Sequence, residues 1–329
     1  MLQSTQVGSA LAPNGADEFA QRELRKLHAD LGPLVMGALA DRFTIDVILN
    51  DDGRLWLNRF GQPKQAIGRM DPVQAGSVLR SVASILRTTV TAESPLLEGQ
   101  LPGGERFAGV MPPVVRAPTF TLRKPAGAVF TLEQYVAAGI ITERQREALS
   151  QAVAAHRNFL VSGATTTGKT TLLNAILAEI NRQFPLERIL ILEDTREIQC
   201  ESEDKTHYLA TRTVSLTQLV RMTLRSSPNR VILGEVRGPE ALDLLDIWNT
   251  GHPGGACSLH ANHAAAALNR LKSLIGRNRE APREIEPLIA EVQPVVLHLT
   301  HDPCRGRVLR EVLEVRSWEA GRYQIEPLS

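Results

Sequence analysis

Cysteine is scarce. The 329 residues include three, Cys200, Cys257 and Cys304, far apart and odd in number. Such a set builds no disulfide framework and contains no CxxC pair. Reduced thiols in a cytosolic compartment are the simple expectation. Excess charge of one sign is also missing: 37 basic residues face 36 acidic ones, a formal net charge of +1. That balance carries no whole-protein footprint for nucleic acid, so no direct nucleic-acid binding is expected. No apolar run reaches the ~18 residues that cross a bilayer. The opening stretch, MLQSTQVGSALAPNGADEF, has no basic region followed by an apolar one and does not read as a secretory signal. Internal repeats and low-complexity tracts are lacking as well. What is there is 43% hydrophobic and 22% charged, enough to bury a proper core. The length suits one large domain or two ordinary ones.

Residues 1–14 read as a loose tail, small and polar. From 15 to 123 the pattern is α+β. ADEFAQRELRKLHADLGPLVMGALAD is helical, with Pro33 marking a break or restart. FTIDVILNDDGRLWLNRFG is a hairpin turning at Asn50-Asp51-Asp52-Gly53. Asp71 caps a helix that begins at Pro72. ERFAGVMPPVV and TFTLRK are two further strands. Pro112, Pro113, Pro118 and Pro125 then mark a junction, and a linker is expected over 124–135. From 136 to 329, apolar strands at 158–163, 188–193, 230–236 and 255–260 alternate with helices at 169–182, 215–225, 238–249 and 262–275. That alternation argues an α/β domain with a mostly parallel sheet covered by helices. The C-terminal RVLREVLEVRSWEAGRYQIEPL reads as a hairpin turning at Glu319-Ala320-Gly321.

FLVSGATTTGKTTLLNAIL is a buried strand, a tight turn and an amphipathic helix, with Gly163 and Gly168-Lys169-Thr170 at phosphate-loop spacing. Glycines let backbone N–H groups turn inward on phosphates, and the following helix N-terminus favours an anion. The loop residues Gly163, Ala164, Thr165, Thr166, Thr167, Gly168, Lys169, Thr170 and Thr171 would cradle the nucleotide. Lys169 would reach the β- and γ-phosphates, and the Thr170 hydroxyl would ligate magnesium. A chance match in a Gly/Thr-rich turn is the competing reading, but the required strand precedes and the required helix follows. β-Branched threonines avoid positive φ, so the expectation is either one strained threonine or a less open loop.

Two apolar strands end in carboxylates. NRVILGEVRGPEA carries Gly234 where many such enzymes place a metal-binding aspartate, then Glu235, which can orient and polarise a water. RILILEDTREI ends in Glu193-Asp194 and offers the missing carboxylate, Asp194 serving magnesium. Parallel strands put both ends at the sheet edge where ligands bind. In TGHPGGACSLHANHA, His260 falls just past a strand and can donate to a γ-phosphate, while for His252 at the other end a buried structural histidine is the competing reading. Cys257, His260 and His263 show a zinc-like spacing, but residues three apart on a strand face opposite sides, and no fourth ligand is evident.

As a set, GATTTGKT, LEDTRE, SSPNRVILGEVRGPEA and TGHPGGACSLHA resemble the four nucleotide boxes of the secretion-traffic ATPases. These are the hexameric ring motors of type IV secretion, type II secretion and type IV pili, and the boxes are Walker A, Asp box, Walker B and His box. LNDDGRLWLNRFG, LPGGERFAGVMPP and FTLRKP resemble the conjugation branch. The resemblance implies a RecA-like P-loop NTPase domain behind a smaller α+β domain. It implies ATP and Mg2+ as ligands, Glu235, Glu193, His260 and Arg237 at the reaction, and Arg106 and Arg123 reaching the nucleotide from the N-terminal domain. It further implies a homo-hexamer attached to inner-membrane components of a transfer machine, cytoplasmic and peripheral to that membrane. The departures are the threonine-rich Walker A and Asn229 where an aspartate is common. A type II motor is disfavoured because three scattered cysteines cannot build its tetracysteine zinc insert. A pilus-type motor, a DNA translocator and a nucleotide-gated subunit with little turnover are the alternatives.

Overall fold

The computed structural model describes residues 15–124, 129–302 and 305–328; the tail expected over 1–14 and part of the expected linker lie outside the described residues. The chain divides into two compact units at this linker, with the turn Phe60–Pro63 counting with the second.

The N-terminal unit begins with helix α1 (Gly15–Ala40), which is broken where the sequence places Pro33: Gly32 takes φ 73° and ψ 171°. The hairpin β1 (Thr44–Leu49) and β2 (Arg54–Arg59) follows, then β3 (Gln65–Arg69). Helix α2 (Pro72–Ile85) starts as its residues dictate, with the Asp71 side chain accepting from the Val73 N–H and proline in the first turn. Strands β4 (Leu96–Gln100), β5 (Arg106–Val110) and β6 (Thr119–Arg123) complete an antiparallel sheet in the order β3-β2-β1-β6-β5-β4. Its core joins Leu27, Leu31 and Val35 of α1, Val78, Leu79 and Val82 of α2, and the inward residues of the sheet. The edge strands β3 and β4 escaped the sequence reading because they are largely exposed and show little apolar alternation.

The second unit opens with two short helices, α3 (Leu132–Ala137) and α4 (Glu143–Ala154), each begun by a threonine–glutamine capping box. Then come β7 (Phe159–Gly163), α5 (Lys169–Gln183), β8 (Ile189–Glu193), β9 (Lys205–Leu209), α6 (Leu216–Thr223), β10 (Arg230–Leu233), α7 (Glu240–Asn249), β11 (Ala256–Leu259) and α8 (Ala264–Ile275). The chain ends with α9 (Glu286–Glu291), β12 (Val295–Asp302), β13 (Gly306–Glu319) and β14 (Arg322–Pro327). The sheet order is β14-β13-β12-β7-β11-β10-β8-β9. From β12 to β9 every pairing is parallel; β13 and β14 add on antiparallel, joined by the turn at Ala320 and Gly321. The sheet is thus mixed and mostly parallel, as α/β alternation demands. Strands β7, β8, β10 and β11 are buried along their whole length, which is why they read as unbroken apolar runs. Among the described residues no helix is long and apolar enough to cross a membrane.

Candidate nucleotide site

The loop after β7 turns tightly because Gly163 has no side chain. A Cβ there would stand 2.6 Å from the Leu299 carbonyl and 2.6 Å from the Thr167 hydroxyl. Thr166 is the strained threonine, at φ 68°. Thr167 closes the turn by donating to the Ala164 carbonyl at 2.9 Å. Gly168, left-handed at φ 96°, is the N-cap of α5, and no side chain caps this helix. Its first N–H groups are therefore of the kind that hold an anion.

Lys169 begins the helix and is buried. Its Nζ donates to the carbonyls of Gly163 (3.2 Å) and Ala164 (3.1 Å) and to His260 Nδ1 (3.2 Å). An ammonium only donates, so Nδ1 is the acceptor and the ring proton sits on Nε2, which faces Glu235 Oε1 at 3.0 Å. The other oxygen of Glu235 accepts from Arg237 at 2.7 Å, and Arg237 also grips Asp194. Lys169, His260, Glu235, Arg237 and Asp194 form one continuous polar row. Sheet topology explains it: β7, β11, β10 and β8 are successive neighbours, and each member follows the carboxyl end of one of these strands.

The charges in the row tune one another. Burial pulls the Lys169 ammonium below its ordinary value, opposed by the carboxylates of Glu235 and Glu197. Burial disfavours the Glu235 charge, yet Arg237, His260 and Lys169 outweigh it and hold the carboxyl below its usual range. His260 is lowered by burial and by the neighbouring Lys169 charge, against the pull of Glu235. It is therefore neutral at pH 7. Because its pKa is lower folded than unfolded, the unfolded chain takes up the proton first. The contribution to stability consequently declines as pH drops below the unfolded value of about 6.5 and levels off under the folded value. Side-chain 15N NMR should show a neutral Nε2–H tautomer at pH 7.5 and a midpoint below 6.5. An Nδ1–H tautomer, or a midpoint above that value, would break the row at His260.

The second carboxylate strand behaves differently from the expectation. Glu193, expected at the reaction, is 3% exposed and turned inward. Its Oε1 accepts the N–H groups of Glu197 (3.0 Å) and Ile198 (2.9 Å), and its Oε2 accepts from His207 Nε2. Gly234 makes room, since a Cβ there would lie 2.9 Å from Glu193 Cγ. The glycine that stands where a metal-binding aspartate is common is thus a packing requirement of Glu193. The loop held by Glu193 brings Glu197 against Thr170, whose hydroxyl donates to it at 3.1 Å. Asp194, expected beside Thr170 at magnesium, is paired with Arg237 instead. Sequence reasoning passed over Glu197 because it lies in a loop, four residues past the strand end. The glutamate–x3–glutamate spacing from Glu193 was the available signal.

This chain matches the type II/IV secretion system protein family over residues 29–320. It belongs to that family. A probable conjugal transfer protein TrbB of Sinorhizobium fredii is 40% identical over 306 residues, 93% of either chain. The type IV secretion system protein PtlH of Bordetella pertussis is 34% identical over 257 residues, covering 69% of this chain and 75% of that one. Among solved structures, the ATPase DotB of Yersinia pseudotuberculosis shares the fold, with a TM-score of 0.61 at 16% identity over 97% of this chain and 84% of its own.

The remaining expected residues of this secretion-family chain fall as follows. Thr165 is exposed and Thr171 half-buried at the start of α5. Arg106 and Arg123 stand opposite each other in register on β5 and β6 of the N-terminal unit. Arg123 donates to the buried Asp46 at 2.7 Å. Cys257 is buried in the hydrophobic core, His260 belongs to the polar row, and His263 caps α8 by accepting from the Ala266 N–H. Among the described residues no three such side chains form a metal cluster.

Proposed function

We propose that this protein is an ATP-hydrolysing motor of a conjugal transfer or type IV secretion system. One observation carries the reading. Four neighbouring parallel strands deliver a phosphate-loop lysine, a histidine, a glutamate, an arginine and an aspartate in a single row at their carboxyl edge. That edge is where α/β sheets bind ligands.

In this RecA-like domain the loop amides from Gly163 to Thr171 cradle the phosphates of ATP, and Lys169 exchanges its bonds to the loop carbonyls for phosphate oxygens. Magnesium, when bound with the nucleotide, neutralises developing phosphate charge. The hydroxyl of Thr170 and the carboxylate of Glu197, 3.1 Å apart, are the hard oxygen donors that suit it. Glu235 orients the attacking water and accepts its proton. His260, which accepts from Lys169 and lies 3.0 Å from Glu235, links phosphate to general base. Arg237 fixes the Glu235 carboxylate from the opposite side.

The working form is a homo-hexameric ring bound peripherally to inner-membrane components of the transfer machine, on the cytoplasmic side. Arg106 and Arg123 contribute to turnover, their planar guanidinium forks being suited to phosphate oxygens and transition-state charge. Arg123→Ala accordingly folds, assembles and binds ADP nearly as the wild type does. It hydrolyses ATP about tenfold more slowly, the factor carried by roughly 1.4 kcal/mol of transition-state stabilisation. A steady-state phosphate-release assay checks this, and mixing Arg123→Ala with Glu235→Gln subunits shows whether the arginine acts across a subunit boundary. Full activity in both Arg106→Ala and Arg123→Ala would leave these residues as ordinary ion pairs. A wild-type protein that binds ATP but releases no phosphate would make it a nucleotide-gated subunit instead.

A further inference from the structure

His207 lies on β9, the edge strand of the sheet, and takes no part in the polar row. Its backbone pairs in register with Ile191 of β8, so its side chain leans along the same face towards Glu193, two residues further on. There its Nε2 donates to Glu193 Oε2 at 2.5 Å, with the imidazole only 20% exposed. The opposite oxygen of that buried carboxylate holds the N–H groups of Glu197 and Ile198. Glu197 in turn accepts from the Thr170 hydroxyl. A single chain of bonds therefore runs from the edge of the sheet to the first turn of α5: His207, Glu193, the backbone at 197–198, Glu197, Thr170.

The logic of the chain is that of an outer shell around a metal site. A buried carboxylate with two oxygens and several lone pairs rotates towards whichever donors satisfy it. Two donors on Glu193 come from the loop that its carboxylate ties to β8, and both sit on one oxygen, leaving the rotation of the carboxylate to the other. The third, His207, is anchored on a strand. Gly234 leaves the carboxylate room on the other side without offering a side chain to steady it.

We propose that His207 is a positioning residue for the metal side of the site: by holding Glu193 it sets where Glu197 stands beside the Thr170 hydroxyl. This rests on the reading of Thr170 as a ligand of the nucleotide's magnesium. His207 touches neither nucleotide nor metal. Its effect falls on the magnesium-dependent part of nucleotide binding and leaves the part carried by Lys169 and the loop amides alone.

The test titrates Mg2+ into full-length protein with a fluorescent ADP analogue, alongside the analogue in EDTA. His207→Ala is expected to need about tenfold more Mg2+ for half-maximal binding, the lower end of what outer-shell substitutions cost. Its metal-free affinity stays at the wild-type value. His207→Gln, whose amide N–H reaches the same oxygen, restores the wild-type Mg2+ curve. In a Glu197→Gln background His207→Ala adds nothing further. An unchanged Mg2+ curve in His207→Ala overturns the proposal, as does an equal loss of affinity with and without metal, which would mark a merely structural histidine. Thr170→Ala separates the two layers. If it shifts the Mg2+ curve while His207→Ala does not, only the role of His207 falls; if Thr170→Ala leaves the curve in place, the magnesium reading fails and takes this role with it.

Discussion

Glu235→Gln binds ATP about as well as the wild type and turns it over ~100-fold more slowly or worse, the usual cost of losing a general base. The variant keeps the length and shape of the side chain and removes its charge. In the wild type one oxygen accepts from Arg237 and the other faces the His260 Nε2–H. An amide can satisfy only one of those donors with its oxygen; its NH2 group meets the other donor head-on. The row is thereby broken at its middle, between the phosphate side and the arginine side. Binding survives because the loop amides lie between β7 and α5, and Lys169 at the start of α5 bonds to loop carbonyls and His260, not to Glu235. The lysine does lose the nearby carboxylate that does most to sustain its charge against burial, but phosphate replaces it when nucleotide arrives. Bound ATP measured by equilibrium dialysis, set beside phosphate release, separates the two effects. Wild-type turnover in Glu235→Gln would remove this carboxylate from the reaction.

Lys169→Ala strikes the other half. The ammonium is buried at the start of α5, with Nζ bonded to Gly163 O, Ala164 O and His260 Nδ1. Its removal deletes charge-assisted bonds to phosphate worth about 1.5–3 kcal/mol, so affinity for an ATP analogue drops roughly 10- to 100-fold. The change also frees His260 Nδ1 and lifts from the imidazole the positive charge that helps depress its pKa. The His260 midpoint should therefore rise in Lys169→Ala, a second readout from the same NMR titration proposed for the wild type. Unchanged analogue affinity would mean that phosphate does not occupy this loop. Turnover lost with affinity intact would place Lys169 at the transition state alone.

Both predictions concern residues whose importance is written in local sequence. A phosphate loop is a strand, a turn and a helix in unbroken succession, so Gly163, Gly168, Lys169 and Thr170 carry their meaning within a few residues. Apolar runs at β7, β8, β10 and β11 announce a covered parallel sheet, because strands buried on both faces have no polar alternation to hide them. Carboxylates and histidine at the ends of those strands then fall at one edge by the rules of such sheets. The Asp71 cap, the broken first helix and the terminal hairpin are equally local in cause.

What tertiary structure decided is which of these groups touch. Strand order places β11 between β7 and β10, and only that order lets His260 bridge Lys169 and Glu235. Spacing along the chain cannot show it, since β11 follows β10 in sequence but lies between β10 and β7 in space. The division of labour among Glu193, Asp194 and Glu197 is likewise a matter of folding. Adjacent residues at a strand end point to opposite faces, so one carboxylate turned inward to His207 and the loop backbone while its neighbour met Arg237. Glu197 reached Thr170 because that inward carboxylate curled the loop back. The edge strands β3, β4 and β9 stayed unread for a related reason: half-exposed strands are defined by the partner they pair with, and the partner is known only once the sheet has formed.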